Sequence, residues 1–165
     1  MLWQAQEIVE NWERPEDPPG GSDYRRVLVE RPVHWEYLCD PIGREMIDLY
    51  RRMATIRHGH RALKARGEFF YDHEEPHLAK RVIVFHRSAP TDGKAAEEQL
   101  MIALNFGDAD ATVSARFRTP GRWVDALAPD TPAVTTARHD ERHEATIPAN
   151  SGRVYVRQAS NTSTQ

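Results

Sequence analysis

The residues able to do chemistry in this chain fall into a few short polar clusters. His139 and His143 stand four apart in HDERH, a spacing that brings two imidazoles to one face of a helix. The general base and flanking pattern of a metalloprotease helix are absent, and the surroundings read as a loop between strands. A solvated, charged turn is the expectation. Asp72-His73-Glu74-Glu75-Pro76-His77 gathers oxygen and imidazole donors, but without a ligand spacing such as that of an EF-hand loop. It reads as an acidic, proline-containing turn. His58-Gly59-His60 fits the end of a helix, where cations suit the dipole. Cys39 is the only cysteine, so neither an intrachain disulfide nor a cysteine metal cage is possible. No metal and no cofactor are expected.

The aromatic residues form a second set. Phe69, Phe70 and Tyr71 are consecutive and cannot all face one way on a strand. Trp123 alternates with Val124, so one of the two lies on an outer face. Aromatics at strand positions commonly fill a core or cover its rim. Exposed ones stack on sugar rings, which makes Phe70 and Trp123 candidate carbohydrate contacts.

Two kinds of element must position these groups. From residue 1 to about 66 the chain offers a short apolar start, a loop over 13–26 (ERPEDPPGGSDYRR) and one helix. The helix is predicted over Asp40–Arg57, with Asp40 as N-cap and Pro41 at the first helical position. Ile42, Met46, Leu49, Tyr50, Met53 and Ile56 share one face at helical spacing. Asp48 and Arg52 are placed to pair at i,i+4, and Gly59 offers a left-handed stop. From about residue 67 the period changes to two. GEFFYDHE, RVIVFHRS, EQLMIALNF, ATVSARF, RWVDAL, EATIP and GRVYVRQ are short strand-like runs separated by turn residues. Together they predict a mainly β protein, an antiparallel β-sandwich over 67–157, with a polar, loose tail over 158–165.

With 165 residues, a formal charge of -3, 39% apolar and 28% charged residues, the chain has the composition of a globular domain. Arginine outnumbers lysine, but the arginines are scattered among acids. No basic stripe marks a nucleic-acid partner. No apolar run is long enough to span a membrane, and the N-terminus has no signal-peptide pattern. A cytoplasmic setting is the expectation.

The order of these segments resembles the end of an α-amylase-family glycoside hydrolase. Met1-Leu2-Trp3, Ala5-Gln6-Glu7 and Glu10-Asn11-Trp12 are similar to the segment at the eighth barrel strand, with Ala5 where the family has glycine. LYRRM and IRHGHRAL (Leu49–Met53, Ile56–Leu63) resemble the eighth barrel helix. VIVFHR, LMIALNF, GRWVDAL and TIPANSGRVYV resemble the closing sandwich. The resemblance implies a strand–loop–helix remnant of a (β/α)8 barrel ahead of the sandwich, and α-glucan as the substrate class. It places Trp3, Gln4, Glu7, Asn11 and Trp12 near the barrel mouth as candidate substrate-binding residues. Retaining enzymes hold a nucleophile and an acid about 5–5.5 Å apart, at the ends of different barrel strands. In the family these groups come from the fourth, fifth and seventh strands, which would precede Met1. No catalytic residue is therefore assigned, and the chain alone is expected to be inactive. Its implied partners are the missing N-terminal barrel and, weakly, starch, glycogen or malto-oligosaccharide. The alternative is a stand-alone, non-catalytic α-glucan-binding module.

Overall fold

Alternation of apolar and polar residues builds most of what the computed structural model contains. It describes residues 33–64, 68–91 and 94–158, with backbone only for 91 and 94–97. The apolar start, the loop over 13–26, the residues Trp3, Gln4, Glu7, Asn11 and Trp12, and the tail beyond 158 lie outside the described residues. The chain divides into two compact units, residues 1–54 and 55–165.

In the first unit, a 3₁₀ turn at Trp35–Leu38 leads to helix α1, Pro41–Gly59, which runs on into the second. Asp40 caps it as predicted, its Oδ1 accepting from Ile42 N–H at 2.8 Å. Asp48 pairs with Arg51 at i,i+3, 3.1 Å away, rather than by the i,i+4 geometry expected with Arg52. The predicted apolar face is open to a large degree. Ile42 and Met53 are exposed, and Gly43 is the only buried residue of the helix.

The second unit is the sandwich. Its strands are β1 (Glu68–Asp72), β2 (Val82–Thr91), β3 (Lys94–Asn105), β4 (Ala111–Phe117), β5 (Gly121–Asp125), β6 (Val134–Thr136), β7 (Glu141–Ile147) and β8 (Ser151–Gln158), with a short helix α2 at Glu75–Ala79. Six of them form one sheet in the order β1-β2-β3-β8-β5-β6, and β4 with β7 forms the other. All pairings are antiparallel. Gly59 ends the helix without a left-handed conformation; the only positive-φ glycine among the described residues is Gly121, in the predicted Pro120-Gly121 turn.

The two sheets meet over one core. Val82, Val84, Met101, Ala103, Trp123 and Tyr155 from the larger sheet pack on Ala111, Val113, Ala115, Phe117, Ala145 and Ile147 from the smaller. Phe117 lies at the centre, edge-on to both Trp123 and Tyr155. The outer face of the larger sheet carries a second cluster, where Ala62 and Leu63 of the 3₁₀ turn Arg61–Leu63 cover Ala89, Leu100 and Ile102. Glu98 fastens that turn, with Oε1 2.7 Å from His60 Nδ1 and Oε2 accepting from Ala62 N–H at 2.8 Å. Arg87 completes the clamp by donating to the carbonyls of Ala62 and Lys64.

Polar side chains close the sandwich ends. Asn105 is buried and its amide nitrogen donates to the carbonyls of Ala109, Ile147 and Pro148, while its oxygen accepts from Gly107 N–H. Asp125, 1% exposed, accepts from Leu127 N–H, Val154 N–H and Arg153 Nη1.

Candidate functional site

The inner face of the larger sheet changes character along its strands. On β2 the inward positions read Val82, Val84, His86, Ser88, apolar and then polar. The strand pairing brings Glu68, Ser88 and Gln99 into one row across β1, β2 and β3. The next row holds Phe70, His86 and Met101. These rows lie at the end of the sandwich where β4 finishes, and the turns carrying Arg118, Thr119, His139 and Asp140 wall them in. A cleft of about 290 Å³ results, at the lower limit of small-molecule sites, roughly 300–1,000 Å³.

Its walls are hydrogen-bonded in a definite way. Ser88 Oγ donates to Glu68 Oε2 at 3.3 Å, and Thr119 Oγ1 donates to Gln99 Oε1. His139 Nδ1 lies 3.0 Å from the Arg118 carbonyl, which also accepts from Asp140 N–H. Asp140 takes a positive φ of 56°, a conformation that aspartate tolerates better than most residues. Two guanidiniums lie over the Phe70 ring, Arg118 at 4.5 Å and Arg116 at 5.5 Å from its centroid.

His86 is the chemically distinctive member. It is 4% exposed, its ring is 6.0 Å from that of Phe70, and its Nε2 has no hydrogen-bond partner. Burial pushes its pKa down to about 4, helped by Arg118 and Arg116 and opposed by Asp140. The imidazole is therefore neutral at pH 7.

Beside the cleft runs a charged cluster. Asp72 Oδ1 accepts from Arg116 Nη2 at 2.8 Å, and Arg142 binds Glu74 through both terminal nitrogens. Those bonds hold the Glu74 carboxyl below its usual pKa, against the opposing effect of partial burial. The acidic Asp72–His77 segment is thus tied to arginines, with residues 75–79 as α2 rather than an open turn. His139 is in a turn, as expected. His143 instead sits on β7, edge-on to Phe117 and 3.0 Å from Glu141 Oε1.

Of the candidate sugar contacts, Phe70 is 39% exposed at the cleft. Trp123 is not available. It is fully buried, packed on Phe117, with Nε1 3.3 Å from both Thr136 Oγ1 and the Thr119 carbonyl. Val124 is the partner that faces outward. His86, Arg118 and Glu68 were not among the candidates. The readable sign was polar His86 and Ser88 in phase with buried Val82 and Val84.

Among solved structures, the chain is similar to an α-amylase from Anoxybacillus, with a TM-score of 0.53 and 20% identity over 74% of this chain and 26% of that one. This likeness is one of fold. An α-galactosidase I from Mortierella vinacea aligns over 51% of this chain and 22% of that one, at 16% identity and a TM-score of 0.35. No family model and no curated protein matches the sequence. The aligned part of the chain spans about a quarter of the length of either glycoside hydrolase. Among the described residues, no helix is long and apolar enough to cross a membrane.

Proposed function

We propose that this chain is the sandwich-bearing terminal portion of an α-amylase-family enzyme acting on α-glucans, where it braces the barrel and supplies no catalytic group. The observation that carries the reading is a fold shared with part of an α-amylase about four times as long as the aligned region. The buried acids add support, because each is paired with an arginine. Asp72 is bound by Arg116, and Asp125 by Arg153 and two backbone amides.

On this reading residues 1–66 are the last barrel strand, loop and helix, and 67–157 the sandwich. Trp3, Gln4, Glu7, Asn11 and Trp12 contact sugar at the barrel mouth of the intact enzyme, and Phe70 adds a weak glucan contact. The main partner is the remainder of the barrel, in the cytoplasm. The stand-alone binding module is the weaker reading, since burial of Trp123 removes one of its two aromatic platforms.

The test is to incubate the purified chain with maltoheptaose and amylopectin and follow reducing ends and branch content. No turnover is expected. Turnover lost on Glu68→Gln or Asp140→Asn, the acids lining the cleft, would overturn the non-catalytic reading. An in-frame upstream sequence without barrel strands would overturn the terminal-portion reading.

A further inference from the structure

We propose that this chain forms a two-fold symmetric dimer in which β1 of one copy pairs antiparallel with β1 of the other, about an axis at Phe69. The larger sheet ends in two unlike edges. β6 is three residues long and closely follows Pro132, and short strands and prolines blunt an edge against further pairing. β1 carries neither device. Its five residues contain no proline or lysine, and it pairs with β2 in unbroken register. No strand lies on its other side among the described residues. Such an edge presents a row of N–H and C=O groups ready to pair with another strand. Its aromatics are also open, Phe69 to 59% and Phe70 to 39%. The strands of the smaller sheet instead turn a polar surface outward, with Ser114 and Arg116 on β4 and Arg142 and Glu144 on β7.

Charge complementarity names the occupant as a second copy. Of the two arginines on Phe70, Arg116 is engaged by Asp72 at 2.8 Å. Arg118 lies 4.5 Å from the ring centroid and has no acid paired to it among the described residues. Glu68 and Phe70 share the inner face of the sheet, opposite Ser88 and His86, while Phe69 points to the outer face. A two-fold axis through the sheet must bring together residues of the same face, so it falls on one residue of β1. With the axis at Phe69, that ring meets its own copy. Glu68 of the second copy then stands directly opposite Phe70, where Arg118 lies. Residues so opposed have Cβ atoms about 4.5–5.5 Å apart, which brings the carboxylate within reach of the guanidinium. Symmetry makes this ion pair twice. An axis at Phe70 would set Glu68 against Asp72, two acids. An axis at Tyr71 would set Phe70 against Asp72, which Arg116 already binds, and would leave Arg118 unmatched.

The experiment measures the mass of the full chain in solution by light scattering and sedimentation across a wide range of concentration. The mass should rise from 18.9 kDa for one chain toward twice that value. Phe69 and Arg118 are both exposed, so their substitution should leave the fold intact. Phe69→Lys places two ammonium groups on the axis and should give a monomer. Arg118→Glu sets an acid against Glu68 at two symmetric positions and should weaken association roughly tenfold or more. Glu68→Arg combined with Arg118→Glu reverses both charges and should restore the dimer. A monomer at every concentration would overturn the proposal. So would a dimer indifferent to Phe69→Lys and Arg118→Glu, which would use another surface. Loss of the dimer in Arg118→Glu without recovery in the charge-reversed pair would overturn the register.

Discussion

Acid should destabilise this protein through His86, and the size of the effect follows from its surroundings. The folded-state pKa is about 4 against 6.5 for the unperturbed group. Above pH 6.5 the imidazole is neutral in folded and unfolded chains alike. Between 6.5 and about 4 the unfolded chain binds a proton that the folded chain does not, so stability present at pH 7 is lost as pH falls through this window. Below about 4 both forms are charged and the loss levels off. A pKa unit is worth about 1.4 kcal/mol, which puts the whole effect at about 3 kcal/mol, with roughly half gone near pH 5. Glu74, with its lowered pKa, acts in a lower window, since its stabilisation is present above the unfolded carboxylate pKa and lost below it. Urea unfolding of the parent and of His86→Gln, in steps from about pH 7.5 to 4.5, isolates the histidine because every other titration is common to both. The parent should lose about 2.5 kcal/mol more than the variant across that range. Parallel curves would refute the argument that burial and the two arginines hold this ring neutral.

Two further substitutions test how the sandwich is held. Asp125→Ala removes a carboxylate bound to Arg153 and to two backbone amides. It should cost about 3–5 kcal/mol and lower the thermal midpoint by more than about 10 °C; a loss under about 1 kcal/mol would mean that these groups find water instead. Gly152→Ala places a Cβ 2.8 Å from Leu104 Cδ2 and 3.2 Å from the Ala103 carbonyl. The leucine tip can move but the backbone cannot, so a loss of about 1–2 kcal/mol is expected in urea unfolding, and unchanged stability would show that β3 and β8 separate freely.

Much of the sandwich was legible because one face of each sheet is buried and period-two alternation reports it. All seven strand-like runs are strands. β6 escaped notice because Val134–Thr136 is too short to alternate, and its place comes from pairing with β5. α2 escaped because one turn of helix leaves no apolar period. Trp123 and Val124 show the limit of the method. Alternation says that they point apart, but both are apolar, so it cannot say which points inward. The core decides, since Phe117 and Tyr155 form the space that the indole fills. The site was legible in half. His86 and Ser88 break an apolar phase within one strand, a local signal. Arg118 takes its position from a turn and from Phe70, nearly fifty residues earlier, and no local period encodes that.

The arginine-rich composition has its explanation in this same long-range order. Arg116 binds Asp72, Arg142 binds Glu74 and Arg153 binds Asp125, each pair joining elements far apart in sequence. A planar fork that bonds two acceptors at once suits such clamps better than a lysine ammonium does. Buried or half-buried ion pairs contribute little net stability against an apolar alternative, but losing one partner is costly. Their effect here is to penalise the wrong register, because a strand shifted by one residue would turn its charge to the opposite face. Arg87 at the edge of the cleft is used in the same structural way, bonded to two carbonyls. Arg118 departs from that pattern. Its guanidinium lies over the Phe70 ring, 4.5 Å from the centroid, with no acid paired to it among the described residues.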